Sequence, residues 1–407
     1  MVNMTNDTDI LIAGGGLNGS AQAIALAQAG FRVALADAQT TARQAAPDFD
    51  GRAYAIAAGS VRLLRAIGVW AGLADQAQPI LHITVSQGRA GEGAGPGRLD
   101  FDHAEIEEGP MGHMVEDRHL RAALHSALAA TPGVTLLAGV AITDQSAEAA
   151  GITVTLADGR ALRAALLVGS DGRDSGTARR AGITLQGRDY GQTAIVCAVA
   201  HARPHGGCAH QMFLPQGPLA ILPLTGDRSS IVWTETTARA QAVMALDDAG
   251  FLDTLRPVFG SFLGAISLAG RRFAYPLSLS LANRIVADRV ALVGDAAHGV
   301  HPLAGQGLNA GLRDVAALVD VLVAARRRGE DIGATPVLGR YARWRGADIA
   351  GLAAATNGFN MLFSNDNPIL RLGRGVGMSA VSAIPALRRT LIREAAGLTG
   401  DLPGLMR

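Results

Sequence analysis

Gly14, Gly16 and Gly19 are spaced as Gly-x-Gly-x-x-Gly, directly after the apolar run 9–13. The first glycine permits a tight turn, the second lets a backbone approach a pyrophosphate, and the third lets helix and strand pack closely. A pyrophosphate placed there lies over a helix N-terminus, where free N–H groups and the helix dipole favour anions. Asp37 closes the next apolar run and is positioned to accept from the hydroxyls of an adenosine ribose. A second segment, Ser170-Asp171-Gly172-Arg173-Asp174-Ser175, follows the apolar run 165–169. Alone, its Asp-Gly pair marks a turn. The third segment is Gly294-Asp295-Ala296-Ala297-His298, continued by Pro302-Leu303-Ala304-Gly305-Gln306-Gly307-Leu308-Asn309. An Asp at a strand end can accept from ribityl hydroxyls, and N–H groups opening a helix can stabilise negative charge near a flavin ring. The glycine triplet alone serves NAD as well as FAD. Two remote segments, one suited to the ADP half and one to the ribityl and flavin half, favour FAD.

The elements that must carry these residues follow from apolar periodicity. Runs 9–13 and 32–36 read as buried parallel strands about an Ala-rich helix over 17–29, stopped by Gly30. Residues 41–60 read as a loop entering a helix over 60–67, and residues 86–112, rich in Gly and acidic side chains, as an exposed excursion. A helix over 116–130 ends at Thr131-Pro132-Gly133, and two strands meet at Asp158-Gly159. Over 190–236 the character changes: strand-like stretches 193–199, 211–214, 219–224 and 230–234 imply an antiparallel sheet in another domain. Residues 240–263 read as helical but interrupted at Pro257, 289–293 as a buried strand, 309–327 as a long helix, and 341–407 as helical with breaks. The fold class is α/β.

Composition narrows the function. A chain of 407 residues with 49% hydrophobic and 17% charged side chains carries two or three cored domains rather than disorder. A net charge of +1 offers no basic field for nucleic acid. All 36 basic Lys/Arg positions are Arg. Cys197 and Cys208, outside any Cys-x-x-Cys pattern, argue against a disulfide framework or a zinc site, so no metal is expected. The short polar start lacks the build of a signal peptide, and no apolar run approaches the ~18–20 residues that span a bilayer. A cytoplasmic protein is expected.

Taken together, the three segments resemble those of the class A FAD-dependent aromatic monooxygenases, which carry a GxGxxG, a mid-chain DG and a late GD motif. Within that class the chain is most similar to the ubiquinone-biosynthesis hydroxylases. The likeness rests on Asp50-Gly51-Arg52 with Ala55-Ile56-Ala57, on the run from Gly294 to Asp314, and on the run from Ser364 to Arg374. It implies a Rossmann-like FAD-binding domain with an inserted antiparallel-sheet substrate domain and a helical C-terminal region. The corresponding divisions are 1–75, 112–180 and 271–345; 76–111 and 181–270; and 346–407. It places Gly14, Gly16, Gly19 and Asp37 at the ADP half, Arg52 and Arg121 near the phosphates or ribityl chain, and Asp171 and Gly172 in the DG motif. Gly294 and Asp295 would hold the ribityl chain, with Pro302, Gly305 and Gly307 along the isoalloxazine. The family's Arg three residues beyond the DG-motif Ser is Ala178 here, followed by Arg179 and Arg180.

The resemblance further implies hydroxylation of the aromatic ring of a polyprenylated phenol through a flavin C4a-hydroperoxide, with NADH or NADPH and O2. A dry pocket and donors near the flavin are then required. No catalytic base is assigned; His298, His301, Tyr190 and Trp233 are the polar candidates, with His298 and Pro302 nearest the ring. The C-terminal Arg371, Arg374, Arg388, Arg389 and Arg393 form either a solvated cap or a basic surface for a biosynthetic complex or the inner membrane surface. Two other functions stay open: a hydroxylase of a small soluble aromatic compound, and a non-catalytic flavin-binding scaffold.

Overall fold

The computed structural model describes residues 6–40, 51–89, 91, 93–299, 305–363 and 381–407. Among these residues, one sheet runs in the order Val286–Ala287, Val290–Leu292, Ala161–Gly169, Thr8–Ala13, Val33–Asp37, Val134–Ala138. The last five strands of that order are mutually parallel. A parallel sheet is covered on both faces, so its strands must be apolar throughout rather than alternating. Ile10, Leu11 and Ile12 are accordingly all fully buried. The helix Leu17–Gln28 is buried along Gly19–Ala27 and packs against the helix Gln306–Arg327. Its small side chains permit that enclosure, which explains why no polar stripe marks it. From the central Thr8–Ala13 strand the chain goes to one neighbour first and to the other much later. This is a topological switch point, where open α/β sheets bind ligands beyond the strand C-termini.

The second sheet has the order His298–Gly299, Phe273–Ala282, Leu185–His201, Arg228–Thr236, Gly217–Leu224, Cys208–Leu214, His82–Arg89, Gly93–Asp102, with Ile266–Leu268 beside Leu185–His201. Its pairings are antiparallel except Cys208–Leu214 with His82–Arg89. One face buries Ile195, Cys197, Ile221, Ile231 and Trp233 under the helices Thr237–Met244 and Asp248–Phe259. The other carries Ala198, Ala209, Leu222 and Leu224, packed with Ala53 and Ala55 of the FAD side and with Ile392 near the C-terminus.

Several expectations change. Residues 86–112 are no exposed excursion: Gly93–Asp102 is an edge strand whose Leu99 and Phe101 are buried while Arg98 and Asp100 face solvent. That alternation is a strand signal, hidden by the glycine-rich stretch before it. Within the loop expected over 41–60, Ala53–Ala57 is a strand pairing with Gly112–Glu116. Pro257 does not interrupt its helix. It lies in the last turn of Asp248–Phe259, which ends at Gly260 with φ 84°. Phe273–Ala282, within the division 271–345, is a strand of the second sheet. C-terminal helices run over Thr335–Phe363 and Pro385–Ala395.

Two half-buried imidazoles give the fold a pH signature. His113 packs edge-on to Trp70, and burial, aided by Arg65, lowers its pKa from 6.5 to about 4. His210 lies against Phe262, and burial, aided by Arg98, lowers its pKa to about 4 as well. A depressed histidine pKa means that the unfolded chain takes up the proton first. Its stabilising contribution is complete above about 6.5 and is lost as pH falls toward about 4. The thermal midpoint is therefore expected to fall between pH 7 and 4.5, and His210→Phe should reduce that slope. A midpoint flat over this range, in wild type and variant alike, contradicts the assignment.

Candidate cofactor and active site

Four of the sequence-derived positions come together because they end neighbouring parallel strands. Gly14 follows Thr8–Ala13, Asp37 ends Val33–Asp37, Ser170-Asp171-Gly172 follow Ala161–Gly169, and Gly294-Asp295 come just after Val290–Leu292. Backbone bonds continue the ladder into the loops: Gly14 N–H to Ala36 (2.8 Å), Ser170 N–H to Ala13 (2.8 Å) and Val293 N–H to Gly169 (2.9 Å). The glycines are needed for contact. Gly14 has φ 97°, and a Cβ there would meet Ser170 O at 2.5 Å; a Cβ on Gly19 would overlap the Gly14 carbonyl oxygen. Gly16, Gly172 and Gly307 instead face open space, with no atom of the described residues within 4 Å of a Cβ built on them. These three are clear of the described residues and open on that side to a ligand.

Asp37 accepts from Gly15 N–H at 2.5 Å and from Gln39 N–H at 2.6 Å, tying the second strand to the glycine turn. Asp171 turns inward: it accepts from Ser175 Oγ (2.5 Å), Thr177 N–H (3.0 Å) and Thr177 Oγ1 (2.9 Å). Its carboxylate holds the turn into Gly176–Arg180. Asp295 is half-exposed and faces Arg173 Nε at 3.3 Å, which joins the DG and GD segments. Sequence reasoning looked for such an arginine at Arg179 or Arg180. Arg179 is exposed, and Arg180 donates to Gln145 at 3.2 Å.

Arg52 and Arg121 meet at a carboxylate that sequence reasoning missed. Buried Asp117 accepts from Arg121 Nε at 2.8 Å and Tyr54 Oη at 3.0 Å, and lies 3.4 Å from Arg52. Burial and then the Asp117 charge push the Tyr54 phenol well above its usual pKa, so it remains a neutral donor. His125, one turn beyond Arg121, is lowered by burial and then Arg121, while Asp37 opposes. On the helix Asp117–Ala130, His125 thus feels the charges of both Arg121 and Asp37. Asn309 ties the strand that follows Arg52, Ala53–Ala57, to the third segment: its Oδ1 accepts from Ala57 N–H (2.9 Å) and its Nδ2 donates to Ala55 (2.8 Å) and Gly305 (3.1 Å) carbonyls.

Of the polar candidates, His298 is buried, with Nε2 2.5 Å from Asp314. Burial opposes its charge, but Asp314 outweighs this and raises its pKa. A ring so enclosed suits holding a loop better than shuttling protons to solvent. Trp233 lies in the core beneath the helices, in edge contact with Phe251. Tyr190 stands at the bulge where the pairing of Leu185–His201 with Phe273–Ala282 slips between Asp189 and Gln192. His301 and Pro302 lie outside the described residues, as do Asp50 and the run 364–374.

The residues present fit a flavin dinucleotide: open glycines over a helix N-terminus, two strand-end carboxylates for hydroxyls, and arginines for phosphates. The FAD binding domain family matches residues 7–335. Ubiquinone hydroxylase UbiL of Rhodospirillum rubrum is 46% identical over 98% of this chain and 92% of its own. The chain belongs to this FAD-binding hydroxylase family. The 3-demethoxyubiquinol 3-hydroxylase of Escherichia coli is 37% identical over 97% of this chain and its whole length. In fold, p-nitrophenol 4-monooxygenase of Pseudomonas putida superposes with a TM-score of 0.80 at 18% identity, covering 98% of this chain and 100% of its own.

The protein is an FAD-dependent monooxygenase, with NAD(P)H the reductant of its class. Bound FAD supplies the oxygen-activating chemistry. The chain's own work is to orient and enclose. The helix Gln306–Arg327 starts at Gly305, φ 65°, beside Ala55 and holds the GD turn through Asp314, and the second sheet packs over Ala53 and Ala55.

Proposed function

We propose that the protein hydroxylates the aromatic ring of a polyprenylated phenol in ubiquinone biosynthesis, with FAD, NAD(P)H and O2. What carries this reading is the 46% identity with a ubiquinone hydroxylase along nearly the whole of both chains. The face of the second sheet that packs on Ala53 and Ala55 is apolar, with Ala198, Leu222 and Leu224, which agrees with an apolar substrate nearby. Deletion of the gene followed by mass spectrometry of quinone intermediates tests it. A precursor lacking one hydroxyl should accumulate and be cleared by wild type but not by Asp295→Ala. An unchanged quinone profile in the deletion strain overturns the proposal.

The same substrate would draw the protein to the inner membrane surface. Among the described residues no helix is long and apolar enough to cross a membrane. Arg388 and Arg393 are paired with Glu105 and Glu108, which weakens a purely electrostatic attachment, whereas Ile384 and Leu387 expose 50% and 40% of their surface. Contact through this apolar edge is expected to appear as vesicle co-sedimentation that survives high salt and is lost in Ile384→Ser/Leu387→Ser. Salt-sensitive binding would point to the arginines instead.

A further inference from the structure

Asp295 is half-exposed, yet the turn that carries it is fastened from within. On the helix Gln306–Arg327, Asp314 is fully buried. Its Oδ2 accepts from Gly294 N–H at 3.0 Å and lies 2.5 Å from His298 Nε2. Its Oδ1 accepts from Arg345 Nε at 2.6 Å, and Arg345 in turn donates to Asp348 at 2.5 Å. One oxygen thus holds residues 294 and 298, the two ends of the turn. Just before it, Tyr341 Oη donates to the Leu292 carbonyl at 2.8 Å. The side flank is closed by Asn18, at the start of the first helix. A Cβ on Gly294, which has φ 62°, or on Gly311 would overlap Asn18 Nδ2.

With both ends drawn to one carboxylate and Asn18 alongside, the turn has little freedom, and Asp295 is left at its outer side facing Arg173. We propose that Asp314 is a positioning residue for the flavin half of the cofactor, setting the Gly294–Asp295 turn through Gly294 N–H and His298. Its carboxylate has no exposed surface and acts only through these groups. The charges agree with this. Burial works against ionisation of Asp314, but His298 and Arg345 outweigh it and hold its pKa below the usual range. A charged acceptor bonded on both oxygens is a stiffer anchor than a neutral one.

The inference rests on FAD binding and not on the identity of the aromatic substrate, so its test does not depend on turnover. Asp314→Asn keeps the shape and removes the charge. FAD affinity is measured on the full-length protein by flavin fluorescence, and ADP affinity by its competition against FAD. The variant is expected to bind FAD about tenfold to a hundredfold more weakly, by analogy with the loss when the partner that orients a metal-liganding side chain is removed. ADP affinity should stay at the wild-type value, because ADP reaches the glycine turn, Asp37 and the phosphate-binding arginines but not the Gly294–Asp295 turn. Equal losses for FAD and ADP would mark a general structural role, and unchanged FAD affinity would remove the role altogether; either overturns the proposal. If Asp314→Asn does not fold, His298→Gln carries the same test. It retains a donor toward Oδ2 and removes the ring, and the same split with a smaller FAD loss is expected. Quinone analysis of the deletion strain is independent of both outcomes.

Discussion

Gly16→Ala is expected to yield a protein that folds with wild-type stability but lacks the yellow colour of bound flavin, whereas Gly19→Ala should lose both colour and stability. The two substitutions add the same methyl group within one glycine turn, so the difference isolates what each glycine does. At Gly19 the methyl would overlap the Gly14 carbonyl oxygen. That oxygen is backbone, and Gly14 is itself pinned by its bond to Ala36 and by its approach to Ser170. No rotamer change relieves the overlap, so the first helix must move away from its strand. At Gly16 the methyl meets no atom of the described residues within 4 Å and enters the space above the helix N-terminus. That space is the one a pyrophosphate needs. Loss of two charge-assisted hydrogen bonds, at about 1.5–3 kcal/mol each, weakens FAD by at least about a hundredfold. Flavin absorbance per protein and the thermal midpoint read the two effects separately. A Gly16→Ala protein that keeps its full complement of FAD would mean that the cofactor does not approach the turn there.

This contrast also shows what a sequence can reveal. The glycine turn, Asp37 and the Gly294–Asp295 pair were legible because each is written locally, as a strand, a turn and a helix start within a few residues. Parallel pairing then brings three such segments to the same edge of one sheet without further information. What was not legible depends on partners far apart in the chain. Asp314 shares an oxygen between Gly294 and His298, Arg173 reaches Asp295, and Asn18 fits beside two glycines. Nothing in the spacing of an Asp in the middle of a helix distinguishes such an anchor from a surface carboxylate. Asp171 shows the converse: its motif was recognised, but its carboxylate is used inside the turn. The edge strand Gly93–Asp102 was hidden because glycine and acidic residues outweighed the alternation around Leu99 and Phe101.

Asp117→Ala should lower the stability of the folded chain by about 3–5 kcal/mol, the range for removing one partner from a buried ionic cluster. Asp9→Ala should cost roughly 0–1 kcal/mol, as exposed pairs do. Distance does not separate them: Asp117 lies 2.8 Å from Arg121, and Asp9 lies 2.8 Å from Arg32. Burial does. The Asp117 side chain is 5% exposed and that of Arg121 22%, against 29% and 61% for Asp9 and Arg32. Without Asp117, Arg52 and Arg121 face each other with their shared counter-charge gone, and the Tyr54 hydroxyl loses its acceptor. The repulsion falls where two phosphates are expected to bind. The deficit should therefore shrink when FAD is saturating, since a bound anion replaces part of the missing charge and binding stabilises the folded state by mass action. Denaturant midpoints of both variants, with and without excess FAD, measure this directly. If Asp117→Ala is no more costly than Asp9→Ala, the arginines do not depend on this carboxylate. If its deficit is the same at every FAD concentration, Arg52 and Arg121 do not face the cofactor phosphates.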